Sequence, residues 1–289
     1  MNKITKAVIP AAGFGTRFLP YSKAIPKEML PIIDTPTIEY IVRECVNSGI
    51  TDVLIIISPG KELIKTHFGH NEKFEEFLLK KNKLNELDII TELPKIVNVE
   101  FTYQYEQLGL GHAVLCAKDF ANGEDFALLL GDDIYVSKDK PATLQMIEAY
   151  NQTQSSILGT LLVPNEDVSK YGICDPKENS SGSLISLKSV VEKPSIDKAP
   201  SNLAIGGRYI LSNNIFNYLE NQQKGVGDEI QLTDSIKRMM EHEDVYALQI
   251  DAKRYDIGSR KGFLEATIDF ALNRDDLKDA CNEIIKKCI

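Results

Sequence analysis

The run Pro10-Ala-Ala-Gly-Phe-Gly-Thr-Arg-Phe-Leu-Pro-Tyr-Ser-Lys-Ala-Ile-Pro-Lys27 holds Arg17, Lys23 and Lys27 and no acidic residue. The whole chain of 289 residues has 42 acidic against 33 basic residues, a net charge of −9, so this run is a positive island in an acidic protein. Small residues from Ala11 through Ala12 and Gly13 to Gly15 let backbone N–H groups close on an anion, and three cations can neutralise several phosphate charges. The pattern suits a triphosphate cradle. A tight strand-exit turn with incidental surface cations is the plainer alternative, and Gly-x-Gly alone would favour it. Two familiar phosphate loops are excluded. GxxxxGK[ST] occurs nowhere, and the dinucleotide fingerprint needs a small residue where Phe18 stands and a helix where Pro20 interrupts.

The second dense signal is Leu128-Leu-Leu-Gly-Asp-Asp133, a buried strand that empties into adjacent carboxylates. The carboxyl edge of a sheet is where ligands are placed, and hard oxygen donors there suit Mg²⁺, although a solvated turn or helix cap would read the same way. Gln107-Leu-Gly-Leu-Gly-His112, Val191-Glu-Lys-Pro194, Ile205-Gly-Gly-Arg-Tyr209 and Tyr255-Asp-Ile-Gly258 are weaker candidates. Each has a plain reading: a surface ion pair for Glu192 and Lys193, loop polar groups for Gln107 and His112, a turn former for Asp256. His67 and His70 lack the third ligand that a zinc site needs.

These residues must be positioned by alternating strands and helices. Lys6 to Ala12 reads as a buried strand, and Ile38, Ile41, Val42, Cys45 and Val46 recur at helical spacing, with Thr37 as the expected cap and Gly49 as the left-handed end. Asp52 to Ser58 is the next buried strand. An amphipathic stretch Glu72 to Leu93, the strand Val99 to Tyr103, the helix Gly111 to Phe120 and the strand Phe126 to Leu130 continue the theme. Such alternation predicts an α/β fold, with an open, mostly parallel sheet flanked by helices. After Pro141 a helix to about Gln154 precedes strands at 157–163, 184–191 and 204–211. Helices at 213–221 and 228–241, a strand at 245–250 and helices from Arg260 follow. The expected division is one unit over 1–262, with halves of about 1–140 and 141–262, and a helical appendage over 263–289. That appendage carries Phe263, Ala266, Thr267, Phe270 and Ala271 as one apolar stripe.

The acidic balance repels a phosphate backbone at long range, so nucleic acid and anionic membrane are not expected partners. Five cysteines without a CxxC pair fit reduced, mostly buried thiols, and no segment approaches the ~20 apolar residues of a membrane span. A cytoplasmic protein is expected.

Gly13-Phe-Gly-Thr-Arg-Phe-Leu-Pro20 with Pro26-Lys-Glu-Met-Leu-Pro31 and Asp34-Thr-Pro36 resembles the signature of the sugar-1-phosphate nucleotidyltransferases. Gly109-Leu-Gly-His-Ala-Val114, Gly131-Asp-Asp133, Tyr171-Gly172, Val191-Glu-Lys-Pro194, Gly207-Arg-Tyr209 and Asp228-Glu-Ile-Gln-Leu-Thr-Asp234 follow in order, and they look closest to the branch that uses UTP. The resemblance spans nearly the whole chain. It implies a Rossmann-like, GT-A-like nucleotidyltransferase fold and Mg²⁺-dependent transfer of the uridylyl group from UTP to glucose 1-phosphate, giving UDP-glucose and pyrophosphate. By position it implies that the loop from Ala11 to Gly15 wraps the nucleotide, Arg17 and Lys27 hold the β- and γ-phosphates, and Gln107 and Gly111 read uracil. Glu28 would lie near the nucleoside. Asp132 and Asp256 would bind Mg²⁺, with Asp133 as the alternative to Asp132. Glu192 would take sugar hydroxyls, Lys193 the sugar phosphate, and Gly172 and Gly207 would line the sugar pocket, supported by Arg208. A homodimer or homotetramer is implied by the resemblance only.

A phosphate monoester has a second pKa near ~6, so the attacking oxygen is ionised at neutral pH and no general base is required. The obstacle is the approach of two polyanions, which cations and the metal must offset. An amide such as Gln107 pairs with a pyrimidine edge, but uracil and thymine differ by one methyl, worth only about 1–3 kcal/mol. A thymidylyltransferase therefore remains an alternative, as do, more distantly, a sugar-nucleotide sensor without catalysis and a glycosyltransferase.

Overall fold

A computed structural model describes residues 3–178 and 182–288. Unbroken apolar runs can be buried on both faces, and the chain uses them at the centre of its sheet. β1 (Lys6–Pro10), β4 (Asp52–Ile57) and β6 (Phe126–Leu129) are of this kind, and Ala7, Val8, Ile9, Ile55, Ile56 and Leu128 are shielded from solvent. Between the first two lies a hairpin of β2 (Pro31–Ile32) and β3 (Thr35–Pro36). β5 (Asn98–Tyr103) lies at one edge. The later strands are β7 (Asp133–Val136), β8 (Ser156–Leu162), β9 (Gly172–Pro176), β10 (Leu184–Glu192), β11 (Leu203–Leu211), β12 (Val245–Gln249) and β13 (Lys253–Asp256).

Nine strands form one sheet in the order β5-β4-β1-β6-β11-β8-β12-β10-β9. β5, β4, β1 and β6 are parallel, whereas β11 runs antiparallel to both β6 and β8, so the sheet is mixed and continuous across both halves of the sequence. β7 and β13 form a separate ribbon with Asp133 opposite Asp256. β9 and β13 were not expected from the sequence, since both are short and half polar. They are strands because a neighbour is there to pair with them.

α1 (Thr37–Asn47) buries Ile38, Ile41, Val42 and Cys45 and is followed by Gly49 at φ 83°. Thr37 does not cap it. It is the first helical residue, and its hydroxyl donates to the Leu30 carbonyl at 2.8 Å, tying the helix to the segment that carries Lys27 and Glu28. After α2 (Leu63–Phe68), the single helix expected over 72–93 is three pieces: α3 (Glu72–Lys80), α4 (Leu84–Thr91) and α5 (Leu93–Ile96). The first break falls at Asn82 in a left-handed conformation, and the second at Glu92, where Pro94 in the first turn of α5 starts a new helix rather than continuing α4. The helix expected over 111–120 likewise divides into α6 (Leu110–Leu115) and α7 (Lys118–Ala121).

α8 (Ala142–Thr153) packs with α1 on one face of the sheet, while α6, α9 (Ile215–Leu219) and α10 (Leu232–Met239) cover the other. α10 begins later than its sequence pattern suggests, because residues before it run extended along the loop at 108–111, with Ile230 N–H on the Leu108 carbonyl and Gly111 N–H on the Ile230 carbonyl. α11 (Arg260–Leu272) sets Phe263, Ala266 and Phe270 against Ile32, Ile134, Tyr255 and Ile257, and α12 (Lys278–Cys288) has no buried residue. All five cysteines are free, and no helix among the described residues is long and apolar enough to cross a membrane.

Candidate active site

The parallel strands β1, β4, β5 and β6 end on the same edge, where the loops leaving β1, β5 and β6 wall one cavity, and residues of β9, β10, β11 and β13 wall much of a second that adjoins it. The smaller, about 300 Å³, is walled by Ala12, Gly13, Lys27, Glu28, Gln104 and Gln107. The larger, about 690 Å³, is walled by Arg17, Gly172, Glu192, Lys193, Gly207 and Asp256, among others. Asp132, Leu110 and Glu229 border both. Residues from 12 to 256 thus converge on one junction, and Asp132 stands at it.

On the smaller cavity, Lys27 Nζ lies 2.5 Å from Asp132 Oδ2. Burial would lower the Lys27 ammonium, but Asp132 and Glu28 hold it above the ordinary lysine value. Burial would equally raise the Asp132 carboxyl, and Lys27, Arg254 and Arg17 together bring it below the ordinary value. Glu28 is 1% exposed and accepts from Lys61 Nζ at 2.8 Å, while the same ammonium donates to the Ala11 carbonyl at 2.6 Å. Burial raises the Glu28 carboxyl and lowers the Lys61 ammonium, each opposed by the other's charge. Gln107 reaches the cavity. Gly111 does not border it: its N–H is taken by Ile230, and a Cβ there would stand 2.7 Å from the Ile230 carbonyl oxygen. Gly109, at φ 99°, leaves room for Glu229 and Ile230 in the same way. Gly15 packs on the Lys27 stem, and Lys23 is exposed outside both cavities.

On the larger cavity, Glu192 Oε2 accepts from the Thr233 hydroxyl at 2.7 Å, and its other oxygen lies 3.3 Å from Lys193 Nζ. Lys193 itself holds φ 43°, a conformation uncommon outside glycine and frequent at functional sites. The bare Cα of Gly172 faces this pair, since a Cβ would come 3.1 Å from Thr233 Oγ1 and 3.3 Å from Glu192 Oε2. At Gly207 the pairing of β11 slips, φ is 78°, and a Cβ would lie 2.4 Å from Asp133 Oδ2. Glycine is therefore required there for both conformation and space.

The adjacent carboxylates have different surroundings. Asp133 is 2% exposed and pairs with Arg254 Nη2 at 2.7 Å, and burial pushes its carboxyl up to about 7 against the pull of Arg254. Asp132 borders both cavities. A Cβ on Gly258 would stand 2.6 Å from Asp132 Oδ2 and 3.0 Å from Asp256 Oδ1, so the two carboxylate oxygens flank one point. Two hard oxygens suit an ion such as Mg²⁺, which keeps waters and takes its remaining ligands from substrate phosphates. No cluster of three or more His, Cys, Asp or Glu residues of metal-holding geometry occurs among the described residues.

Arg208, expected to support the sugar pocket, does not reach the larger cavity. It is wholly buried, forks onto Glu44 through Nε at 3.1 Å and Nη2 at 2.8 Å, and donates from Nη2 to the Asp133 carbonyl at 2.7 Å. Its support of the pocket is indirect, through the backbone that carries the carboxylates. Arg17 is exposed on the larger cavity, its guanidinium 3.4 Å from the Gly258 carbonyl, and Arg260 Nε donates to the Arg17 carbonyl at 3.0 Å.

Sequence reasoning missed Lys61, Gln104, Arg254 and Glu229. Glu229 and Thr233 lay inside the quoted Asp228 to Asp234 run, but with no role attached to them. Lys61 and Arg254 had no local signal at all, because the groups they bind are far away in sequence.

A family description for nucleotidyl transferases matches residues 6–272, and the chain belongs to that family. The chain is 46% identical over 287 residues to a UTP–glucose-1-phosphate uridylyltransferase of Staphylococcus epidermidis, covering 99% of each chain. It is 47% identical over 279 residues to the protein of that name from Bacillus subtilis, covering 96% of this chain and 95% of the relative. Among solved structures, a UTP-bound UGPase from Acinetobacter baumannii superposes with a TM-score of 0.90 at 39% identity, covering 98% of each chain.

Proposed function

We propose that this nucleotidyltransferase transfers the uridylyl group from UTP to glucose 1-phosphate, releasing UDP-glucose and pyrophosphate. The observation that carries the reading is the meeting of two cavities at Asp132, one walled by the glycine loop and the other by Glu192 and Lys193. Relatives at 46% and 47% identity that carry this activity in their names support it.

UTP occupies the smaller cavity, with Ala12 and Gly13 at its wall and Gln107 at the uracil edge, while Ala11 and Gly15, which do not line the cavity, hold the glycine loop from behind, Ala11 buried and Gly15 against the Lys27 stem. Gly111 contributes by keeping that loop close to Ile230 rather than by offering its own N–H, which is already used. Glucose 1-phosphate occupies the larger one, with Glu192 at its hydroxyls, Gly172 and Gly207 giving it room, and Lys193 at its phosphate. An oxygen of that phosphate attacks the α-phosphorus of UTP. The new P–O bond forms as the bond to the β-phosphate oxygen breaks, and pyrophosphate leaves with the electron pair. Arg17 and Lys27 stabilise the charge that grows on the leaving group. Asp132 and Asp256 hold a divalent cation, taken to be Mg²⁺, which when bound supplies charge neutralisation where the two phosphates meet.

The test is pyrophosphate release with glucose 1-phosphate and Mg²⁺ across UTP, dTTP, CTP, ATP and GTP. Release with UTP well above the other four is expected. Equal or greater release with dTTP would overturn the assignment of the nucleotide.

A further inference from the structure

Lys61 closes a turn after β4, its N–H donating to the Ser58 carbonyl, and its side chain runs back beneath the first strand-exit loop. It is 7% exposed and borders neither cavity. One of its acceptors, Glu28, belongs to the wall of the smaller cavity, and the other, the carbonyl of buried Ala11, lies directly behind that wall, between Pro10 and Ala12, which both line it. Ala11 is also fixed from β4 by its own N–H on the Ile56 carbonyl at 2.8 Å. Burying such an ion pair gains little stability over a well-packed apolar pair, so stability alone does not account for an ammonium here. What an ammonium adds is direction, since its donors fix two acceptors relative to each other. A carboxylate so held has one oxygen committed, leaving the other as an acceptor that can meet a donor but not another acceptor.

We infer that Lys61 is a positioning residue for the nucleotide: it locks the first turn of the glycine loop and orients Glu28 so that a carboxylate oxygen meets a hydrogen-bond donor of the nucleoside. The inference rests on the placement of UTP in the smaller cavity. Lys61 touches no substrate and acts mainly through Glu28.

The experiment measures kcat and both KM values by pyrophosphate release for the unsubstituted chain, Lys61→Met, Glu28→Gln and the double variant, with thermal midpoints alongside. Lys61→Met raises the KM for UTP on the order of tenfold and leaves the KM for glucose 1-phosphate within about twofold. In the Glu28→Gln background, the same substitution adds less than about threefold, the residue of its effect through Ala11. A purely structural lysine would lower the thermal midpoint without this coupling. The double variant carries no unpaired buried carboxylate, so it keeps the test open if Lys61→Met alone does not fold. An unchanged KM for UTP in Lys61→Met overturns the inference, as does an effect equally large in the Glu28→Gln background. If Lys61→Met does not fold, an unchanged KM in the double variant overturns it. These outcomes differ from failure of the functional reading, in which the unsubstituted chain releases no pyrophosphate from UTP and the inference falls with it.

Discussion

Lys27 and Asp132 hold each other at 2.5 Å, so the cation expected to meet phosphate and the carboxylate expected to meet the metal neutralise one another when neither ligand is bound. A phosphate that draws on the Lys27 ammonium therefore competes with Asp132 for it. Replacing Asp132 by Asn frees the Lys27 ammonium. UTP binding measured by calorimetry in EDTA is expected to stay as tight or tighten, while turnover with Mg²⁺ falls about a hundredfold. A parallel loss of metal-free UTP affinity would count against this arrangement. The folded carboxyl of Asp132 is held below its ordinary value, so the pair's contribution to stability is present above the unfolded aspartate pKa of ~3.9 and disappears as pH falls through the lower folded value. The difference in thermal midpoint between the unsubstituted chain and Asp132→Asn shrinks in that acid window.

Arg17 lies exposed on the rim of the larger cavity, where its side chain supports little of the core. Arg17→Ala is expected to cut turnover by roughly a hundredfold, about 3 kcal/mol of barrier, with the thermal midpoint and circular dichroism unchanged. Full turnover in the folded variant would remove the loop from the proposed phosphate site.

The hydroxyl of Thr233 fixes one oxygen of Glu192 and leaves the other beside Lys193. Thr233→Val keeps the shape and loses the donor, which raises the KM for glucose 1-phosphate roughly tenfold and spares that for UTP. Steady-state kinetics with each substrate varied in turn separates the two. A change confined to UTP would place the sugar elsewhere.

Arg208 and Glu44 join β11, the strand bearing Gly207, to α1, with the Thr143 hydroxyl on the same carboxylate at 2.6 Å. Arg208→Met strands a buried carboxylate and is expected to cost about 3–5 kcal/mol in denaturant unfolding, much of it recovered when Glu44 is also replaced by Leu. If the single variant were as stable as the unsubstituted chain, the fork would not be holding the strand.

The strands and helices that position the site were largely legible because their signal is local. Ile38, Ile41, Val42 and Cys45 mark a helix face, and the run at 126–129 marks a buried strand, without reference to any other part of the chain. The late start of α10 was not, since it depends on how Ile230 pairs with the loop at 108–111, whereas the break at Asn82 is a local left-handed helix end, closed by Lys83 N–H on the Leu78 carbonyl, that apolar spacing alone passes over.

By its order of residues alone the chain fixed its alternating architecture, the positive run from Arg17 to Lys27 and the acidic strand end at 132–133, since each is a property of neighbours along the backbone. Only the tertiary structure decided how those groups are shared. Asp132 borders both cavities, while Asp133 turns to Arg254, because the pairing of β7 with β13 sets them in different surroundings. Arg208 left the pocket for Glu44, and Lys61 reached Glu28 and Ala11 across the sheet edge. A buried charge takes whichever partner the packed fold brings within hydrogen-bond reach, and no spacing in the sequence records which one that is.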